Sequence, residues 1–384
     1  MRDVRWIRNA VAPSGEAIRL GVVGGDIAEV MPDSASCPTP KDAVLDAQGL
    51  TLSPGWIDLQ VNGAFGRDFT EEPRVIWDVA RDLLDRGVTS FLPTLITAPA
   101  EAYEKALDVL RKGPPDDAPR SRVLGLHLEG PFLAPDKKGA HAARDLLGPE
   151  EVLSGPLPPW LTDPLVRMVT LAPELPGALD LIRLLVERGK VVSAGHSDAS
   201  FDVAQAAFDV GVTGGTHLFN AMSGLHHRHP GLAAALLIDP RVTVGLIADG
   251  VHVHPAMLRL AMERLLPERL ILVSDAMAAA GMPPGRHTLA GRTVVVDDGA
   301  ARLEDGTLAG CPLLLDDILL RVLHLVPNVP RPDILAAVTV NPARLLGLRR
   351  GRLEPGRPAD LLLLDEQGHP VYVMIDGRLC KEPA

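Results

Sequence analysis

The sequence predicts an α/β fold: a (β/α)8 TIM-type barrel with a small β-sandwich domain formed by both termini. Three observations carry that prediction. The centre of the 384-residue chain alternates short β-prone runs with helical patterns. Both ends are β-rich and lack a helical period. The polar residues of the centre cluster where its β-prone runs end.

Residues 1–53 read as short strands and turns, with β-like stretches at 18–23, 25–30 and 43–47 broken by Gly, Asp and Pro. The tail mirrors them at 359–364, 370–375 and 377–380, with a hairpin signal at Asp376-Gly377. Residues 1–53 and 347–384 are therefore expected to pair into one small sandwich. Eight β-prone runs follow between them: 52–62, 89–95, 122–132, 166–174, 190–196, 213–220, 243–250 and 270–276. Helical patterns separate most of them. Leu179, Ile182, Leu185 and Val186 share a face, as do Phe201, Ala204, Ala207 and Phe208, and Met257, Leu258, Ala261 and Leu265. Strands alternating with helices pair in parallel through right-handed crossovers, so 54–346 is expected to close into a barrel. An open doubly wound sheet is the rival, but neither GxGxxG after a strand nor GxxxxGK[ST] occurs. The Gly-rich stretch 280–310 reads as a β-hairpin inserted after strand eight, before a helix at 312–325.

Composition narrows the function. Hydrophobic residues make up 46 %, enough for a large core. Lys and Arg number 38 against 49 Asp and Glu, a net charge of −11. Such a chain, with no basic block and only 3 % aromatic residues, suits neither nucleic acid nor an anionic membrane. The start MRDVRWIRNA carries charges where a signal core would be apolar, and runs such as Leu361–Leu364 are too short to span a bilayer. Cys37, Cys311 and Cys380 lie far apart, as in a reducing compartment. The expectation is a cytoplasmic enzyme.

Its candidate site follows from position. Run three ends in His127-Leu-Glu129-Gly130, run five in Gly195-His196-Ser197, run six in Thr216-His217, run seven in Asp249-Gly250 with His252 beyond, and run eight in Ser274-Asp275. In a barrel these ends meet at one mouth. Singly, each has an ordinary explanation: a hydrogen-bonded histidine, a turn pair, a helix cap. Together, one Glu, two His and one Asp make a metal site with a base. Zinc takes imidazole nitrogen and carboxylate oxygen and keeps one position open for water in catalytic sites. Glu129, His196 and His217 would be the ligands and Asp275 the proton shuttle. His127, two residues before Glu129, is a further possible ligand.

The chain resembles the N-acetylglucosamine-6-phosphate deacetylase family of the amidohydrolase superfamily. The resemblance rests on SPGWID (53–58), GLHLEGPF (125–132), KGAH (138–141), VSAGHSDA (192–199), THLFNAM (216–222), IADGVH (247–252), LVSDA (272–276) and LAG (308–310). NPAR (341–344) and GRLEPGRPADLLLLD (351–365) are shared more widely in the superfamily. It implies one divalent metal per subunit on Glu129, His196 and His217, zinc first, with iron or another divalent ion as alternatives. It implies Asp275 as catalytic acid/base and His141 as the group that polarises the acetyl carbonyl. Asn220, Ala221, His252, Gly130 and Leu308 are the implied substrate contacts, with Arg228 reaching the phosphate from the neighbouring subunit of a homodimer. His127 takes a supporting role. Binuclear relatives carry His-x-His on strand one, where this chain has Gln60 and Asn62, so a second metal is not expected. Cys311 stands where serine is common in the family.

The implied reaction hydrolyses the acetamide of N-acetylglucosamine-6-phosphate to glucosamine-6-phosphate and acetate. The alternatives are the N-acetylgalactosamine-6-phosphate epimer, an amidohydrolase acting on a cyclic amide or dipeptide, and a non-catalytic barrel. The triplet His226, His227 and His229 reads as a surface loop rather than a metal site.

Overall fold

A computed structural model describes residues 2–3, 5–34 and 44–383. Its barrel strands, one to eight, are Trp56–Val61, Val88–Ile96, Leu126–Glu129, Val166–Leu171, Val191–Ala194, Gly214–Gly215, Thr243–Leu246 and Leu270–Leu272. They pair in parallel and in chain order. Between strands eight and one the ladder shrinks to a bridge, Val61 to Ala276. Asp58 closes that seam: its Oδ1 accepts the Ser274 and Gln60 backbone N–H groups, each at 3.2 Å. Ser274 Oγ donates to the Gln60 carbonyl at 3.2 Å.

Helices cover the barrel because their apolar residues recur at helical spacing. Ile76–Asp85 buries Ile76, Val79, Ala80, Leu83 and Leu84. Ala178–Glu187 buries Ala178, Leu181, Ile182 and Leu185, a face turned slightly from the predicted one, with Leu179 and Val186 at its margin. Phe201–Asp209 starts at Ser200, whose Oγ accepts the Val203 N–H. Pro255–Leu265 stops before Pro267. The helix expected from 312 starts at Leu315, because Asp317 Oδ2 accepts the Leu314 N–H and makes Leu314 its cap.

The terminal strands form one mixed nine-stranded sheet. Leu361–Leu364 ties it to the barrel. Alternate side chains of a strand face opposite ways; Leu361 and Leu363 enter the sandwich core with Leu20 and Ile27, while Leu362 and Leu364 enter the barrel core. Three details differ from expectation. The run 52–62 is two strands, Thr51–Pro54 in the sandwich and Trp56–Val61 in the barrel. They are split at Gly55, where a Cβ would collide with Thr89. Trp6–Val11 is an additional strand, masked in sequence by its polar Arg8 and Asn9 and bulged at Asn9, whose φ is +53°. The insertion has three strands, since Gly285–Leu289 joins Arg292–Asp297 and Ala300–Leu303; only Leu289 of the first is buried, which weakens its alternation. Cys37 and Ala43, the first residue of the expected 43–47 strand, lie outside the described residues. Among the described residues no helix is long and apolar enough to cross a membrane.

Candidate active site

A cavity of about 460 Å³ is lined by Glu129, His141, His196, His217, Asn220, Ala221, His252, Asp275 and Leu308. These residues follow barrel strands three, five, six, seven and eight, or come from the insertion. A larger groove of about 1100 Å³, lined by Arg122, Asp376 and neighbours, holds none of them. Chemistry, not size, singles out the smaller one. Gly130 and Arg228 are not among its lining residues. Gly130, at φ +91°, sits where a Cβ would collide with Thr97 Oγ1. Arg228 lies on an exposed loop, its Nη1 2.8 Å from His227 Nε2.

Three of the polar side chains converge on one point. His196 Nε2 and His217 Nε2 face each other at 3.0 Å, and both approach Glu129 Oε1, at 3.2 and 3.0 Å. Donors about 2.0–2.1 Å from a tetrahedral centre lie roughly 3.3 Å apart, so this triangle suits one small divalent ion. The His196 ring is set for it. Its Nδ1 donates to the Lys137 carbonyl at 2.8 Å, which leaves the Nε2 lone pair for a metal. His217 Nδ1 is buried with no hydrogen-bond partner among the described residues. Burial pushes the Glu129 carboxyl up, but bonds to His196 and His217 outweigh it and hold the group well below its ordinary value. His196, His217 and Asp275 adopt φ of +49°, +30° and +48°. Such left-handed backbone is costly for residues with a side chain and gathers at functional sites.

His141 also lies near, its Nε2 3.8 Å from Glu129 Oε2. It differs in tautomer. The Thr97 backbone N–H, which can only donate, points at His141 Nδ1 at 3.1 Å. The proton is therefore on Nε2, and His141 is a donor into the cavity rather than a third imidazole ligand. Burial, then the neighbouring His196, lowers its pKa to about 3 and keeps the ring neutral. His127 does not line the cavity. Its nitrogens bond to Thr94 Oγ1 at 3.3 Å and Thr170 Oγ1 at 2.8 Å, and burial lowers it to about 4.

Asp275 stands beside the triangle. Burial, followed by the charge of Glu129, raises it to about 7. Its Oδ1 accepts from Gln60 Nε2 at 3.0 Å and from Asn62 Nδ2 at 2.7 Å. The same Gln60 Nε2 donates to Glu129 Oε1 at 2.9 Å. Sequence reasoning treated Gln60 and Asn62 only as missing metal ligands. They are the amides that orient both carboxylates, and their N–H groups point where a second cation would need lone pairs. Lys137, Thr97 and Asp249 are further residues whose part was not read from sequence. Asp249 Oδ2 lies 2.7 Å from His252 Nδ1 and fixes that ring. Lys137, Arg302 and Thr307 also line the cavity.

A family model described as "Amidohydrolase family" matches residues 51–380. The chain belongs to the amidohydrolase family. This amidohydrolase is 38 % identical over 364 residues to the N-acetylgalactosamine-6-phosphate deacetylase of Escherichia coli, covering 94 % of each chain. It is 40 % identical over 353 residues to the N-acetylglucosamine-6-phosphate deacetylase of Bos taurus, covering 88 % of this chain and 85 % of that one. Among solved structures, the N-acetylglucosamine-6-phosphate deacetylase of Pasteurella multocida superposes with a TM-score of 0.88 at 31 % identity, covering 97 % of this chain and 98 % of the other. The chain is thus an enzyme of a hydrolase family, with a buried Glu/His/His group able to hold a divalent metal.

Proposed function

We propose that this amidohydrolase hydrolyses the acetamide of N-acetylglucosamine-6-phosphate, giving glucosamine-6-phosphate and acetate. The observation that carries the proposal is the convergence of Glu129, His196 and His217 beside a carboxyl raised to about 7. The three would hold one divalent metal, zinc first by donor type and iron second. When bound, such an ion supplies Lewis acidity and a water of lowered pKa.

The chain's own groups do the rest. Asp275 Oδ1 is occupied by two amide N–H groups, so Oδ2 carries the moving proton. A carboxyl near neutrality can take a proton from water and return it to the departing nitrogen. His141, neutral with its proton on Nε2, donates to the acetyl oxygen as charge builds there. Asn220, Ala221, His252 and Leu308, which line the cavity, contact the sugar phosphate in this reading, and Gly130, outside it, is left with a backbone role. Arg228, outside its own chain's cavity, would reach the phosphate of a partner subunit as a planar donor fork. A homodimer and a cytoplasmic location, where phosphorylated sugars occur, complete the proposal.

A second substrate is favoured by one observation: the Escherichia coli relative that covers 94 % of each chain acts, by its name, on the galactosamine epimer. Acetate release from both epimers, with metal analysis of the purified protein, decides between them. The proposal expects one tightly held metal per chain and higher kcat/KM for the glucosamine epimer. A reversed preference would move the assignment to the galactosamine substrate. Activity on a cyclic amide alone, or two tight metals per chain in protein carrying Cys311→Ser, would overturn it.

A further inference from the structure

Beside the metal triangle lies a second group of ligand-type side chains. Asp249 Oδ2 is 2.7 Å from His252 Nδ1 and 3.6 Å from Cys311 Sγ. One ligand atom from each of the three lies within 4.8 Å of the other two. Asp249 and Cys311 are buried, and the His252 side chain is 4 % exposed. The group is reached from the cavity, since His252 and Gly310 both line it. Cys311 is also tied to the catalytic strand end. Its N–H donates to the Asp275 carbonyl at 2.9 Å, and its carbonyl accepts from Met277 N–H at 3.1 Å.

We infer that Asp249, His252 and Cys311 form a second, inhibitory site for a thiophilic divalent cation such as Zn²⁺ or Cd²⁺. The donor set selects the ion. Thiolate sulfur favours d¹⁰ cations and rejects magnesium or calcium, while imidazole and carboxylate complete a tetrahedral face. With sulfur at ~2.3 Å and oxygen at ~2.0 Å from such an ion, the two atoms lie roughly 3.5 Å apart, close to the separation seen. The Asp249–His252 pair has to open by about half an ångström. Proton balance is simple. Binding expels the thiol proton to solvent. The His252 proton on Nδ1 moves to Nε2, so one proton leaves per cation. Burial, then the charge of Asp249, holds the free thiol well above its ordinary pKa. Cys311 is therefore closed to ordinary alkylation, and a cation that bonds sulfur directly is the species that opens it. Once bound, His252 no longer offers Nε2 as an acceptor to the cavity. The inhibition rests on the proposed role of His252 in substrate binding; the site itself does not.

The test uses protein holding one equivalent of zinc per chain, enough for the Glu/His/His site alone, and carrying Cys37→Ser and Cys380→Ser, titrated with Cd²⁺. The sulfur-to-metal charge-transfer band in the ultraviolet reports thiolate ligation alone, so exchange at the Glu/His/His site is silent. One band per chain is expected, saturating at one added equivalent with release of one proton. Further Cys311→Ser abolishes it, and Asp249→Asn weakens binding. No band with Cys311 intact overturns the site. A band of unchanged affinity in Asp249→Asn reduces it to a lone thiol and also overturns it. Deacetylase activity should fall in step with the band and be spared by Cys311→Ser. A full band without loss of activity leaves the site standing and removes the role given to His252.

Discussion

At Asp275 the two oxygens have different neighbours, and that asymmetry makes a sharp contrast between substitutions. Asp275→Asn keeps an oxygen for the Gln60 and Asn62 N–H groups, yet places an amide where the proton must travel. We expect kcat to fall by ~10²–10⁴, the usual share of a general acid/base, with metal content unchanged. Glu129→Gln should lose metal and activity together, because Oε1 meets both imidazoles. Metal-free Asp275→Asn protein would make Asp275 a ligand and defeat the assignment. Residue types alone identified this acid and the triangle, since Glu, His, His and Asp recur at strand ends. They could not show what Gln60 does. An amide's direction depends on partners 69 and 215 residues away, brought together only by the barrel. The tautomer of His141 was hidden for the same reason: it is set by a backbone N–H at Thr97.

At the scale of elements, the seam between strands eight and one depends on a buried carboxylate. Burial raises Asp58 from 3.8 to about 6. A folded-state pKa above the unfolded one means the group's contribution is fully present below 3.8 and lost as pH rises through about 6. Above that range the ionised, desolvated carboxylate costs about 3 kcal/mol, at ~1.4 kcal/mol per unit. Asp58→Asn retains an acceptor for the Ser274 and Gln60 N–H groups and cannot ionise. Any cost of housing its new amide does not vary with pH. Urea denaturation should therefore show the variant gaining on the parent as pH rises from ~4 to ~7, by about 3 kcal/mol in all, and then levelling off. Parallel curves would mean that Asp58 is not desolvated as described. The run 52–62 shows why this seam was not legible beforehand. Its Pro54-Gly55 pair signals a break, but β-prone residues stand on both sides, and nothing local says that one half joins the sandwich and the other the seam.

Across the whole molecule, the sequence pattern was most informative about chain order and least about what meets what between subunits. Alternating strands and helices permit few closed topologies, and the β-rich ends had only each other to pair with. Arg228 is different: its loop is exposed, and its guanidinium meets His227 rather than the cavity of its own chain. Leu225, three residues before it and 45 % exposed, adds apolar surface of the kind that dimers cover. If this face meets a second copy around a two-fold axis, each cavity receives its arginine from the partner. Arg228→Ala should then raise KM for the phosphorylated sugar far more than for the unphosphorylated one, while kcat changes little. Equal effects on both sugars would separate Arg228 from the phosphate. Mixing supplies the second half of the test. Arg228→Ala and Asp275→Asn proteins each lack one half of every site, but a mixed dimer carries one site with both halves intact. With free subunit exchange the mixture, assayed at substrate well below KM, should recover roughly a quarter of the parental kcat/KM. Failure to recover any, with mixed dimers demonstrated by mass, would show that Arg228 serves its own chain or none.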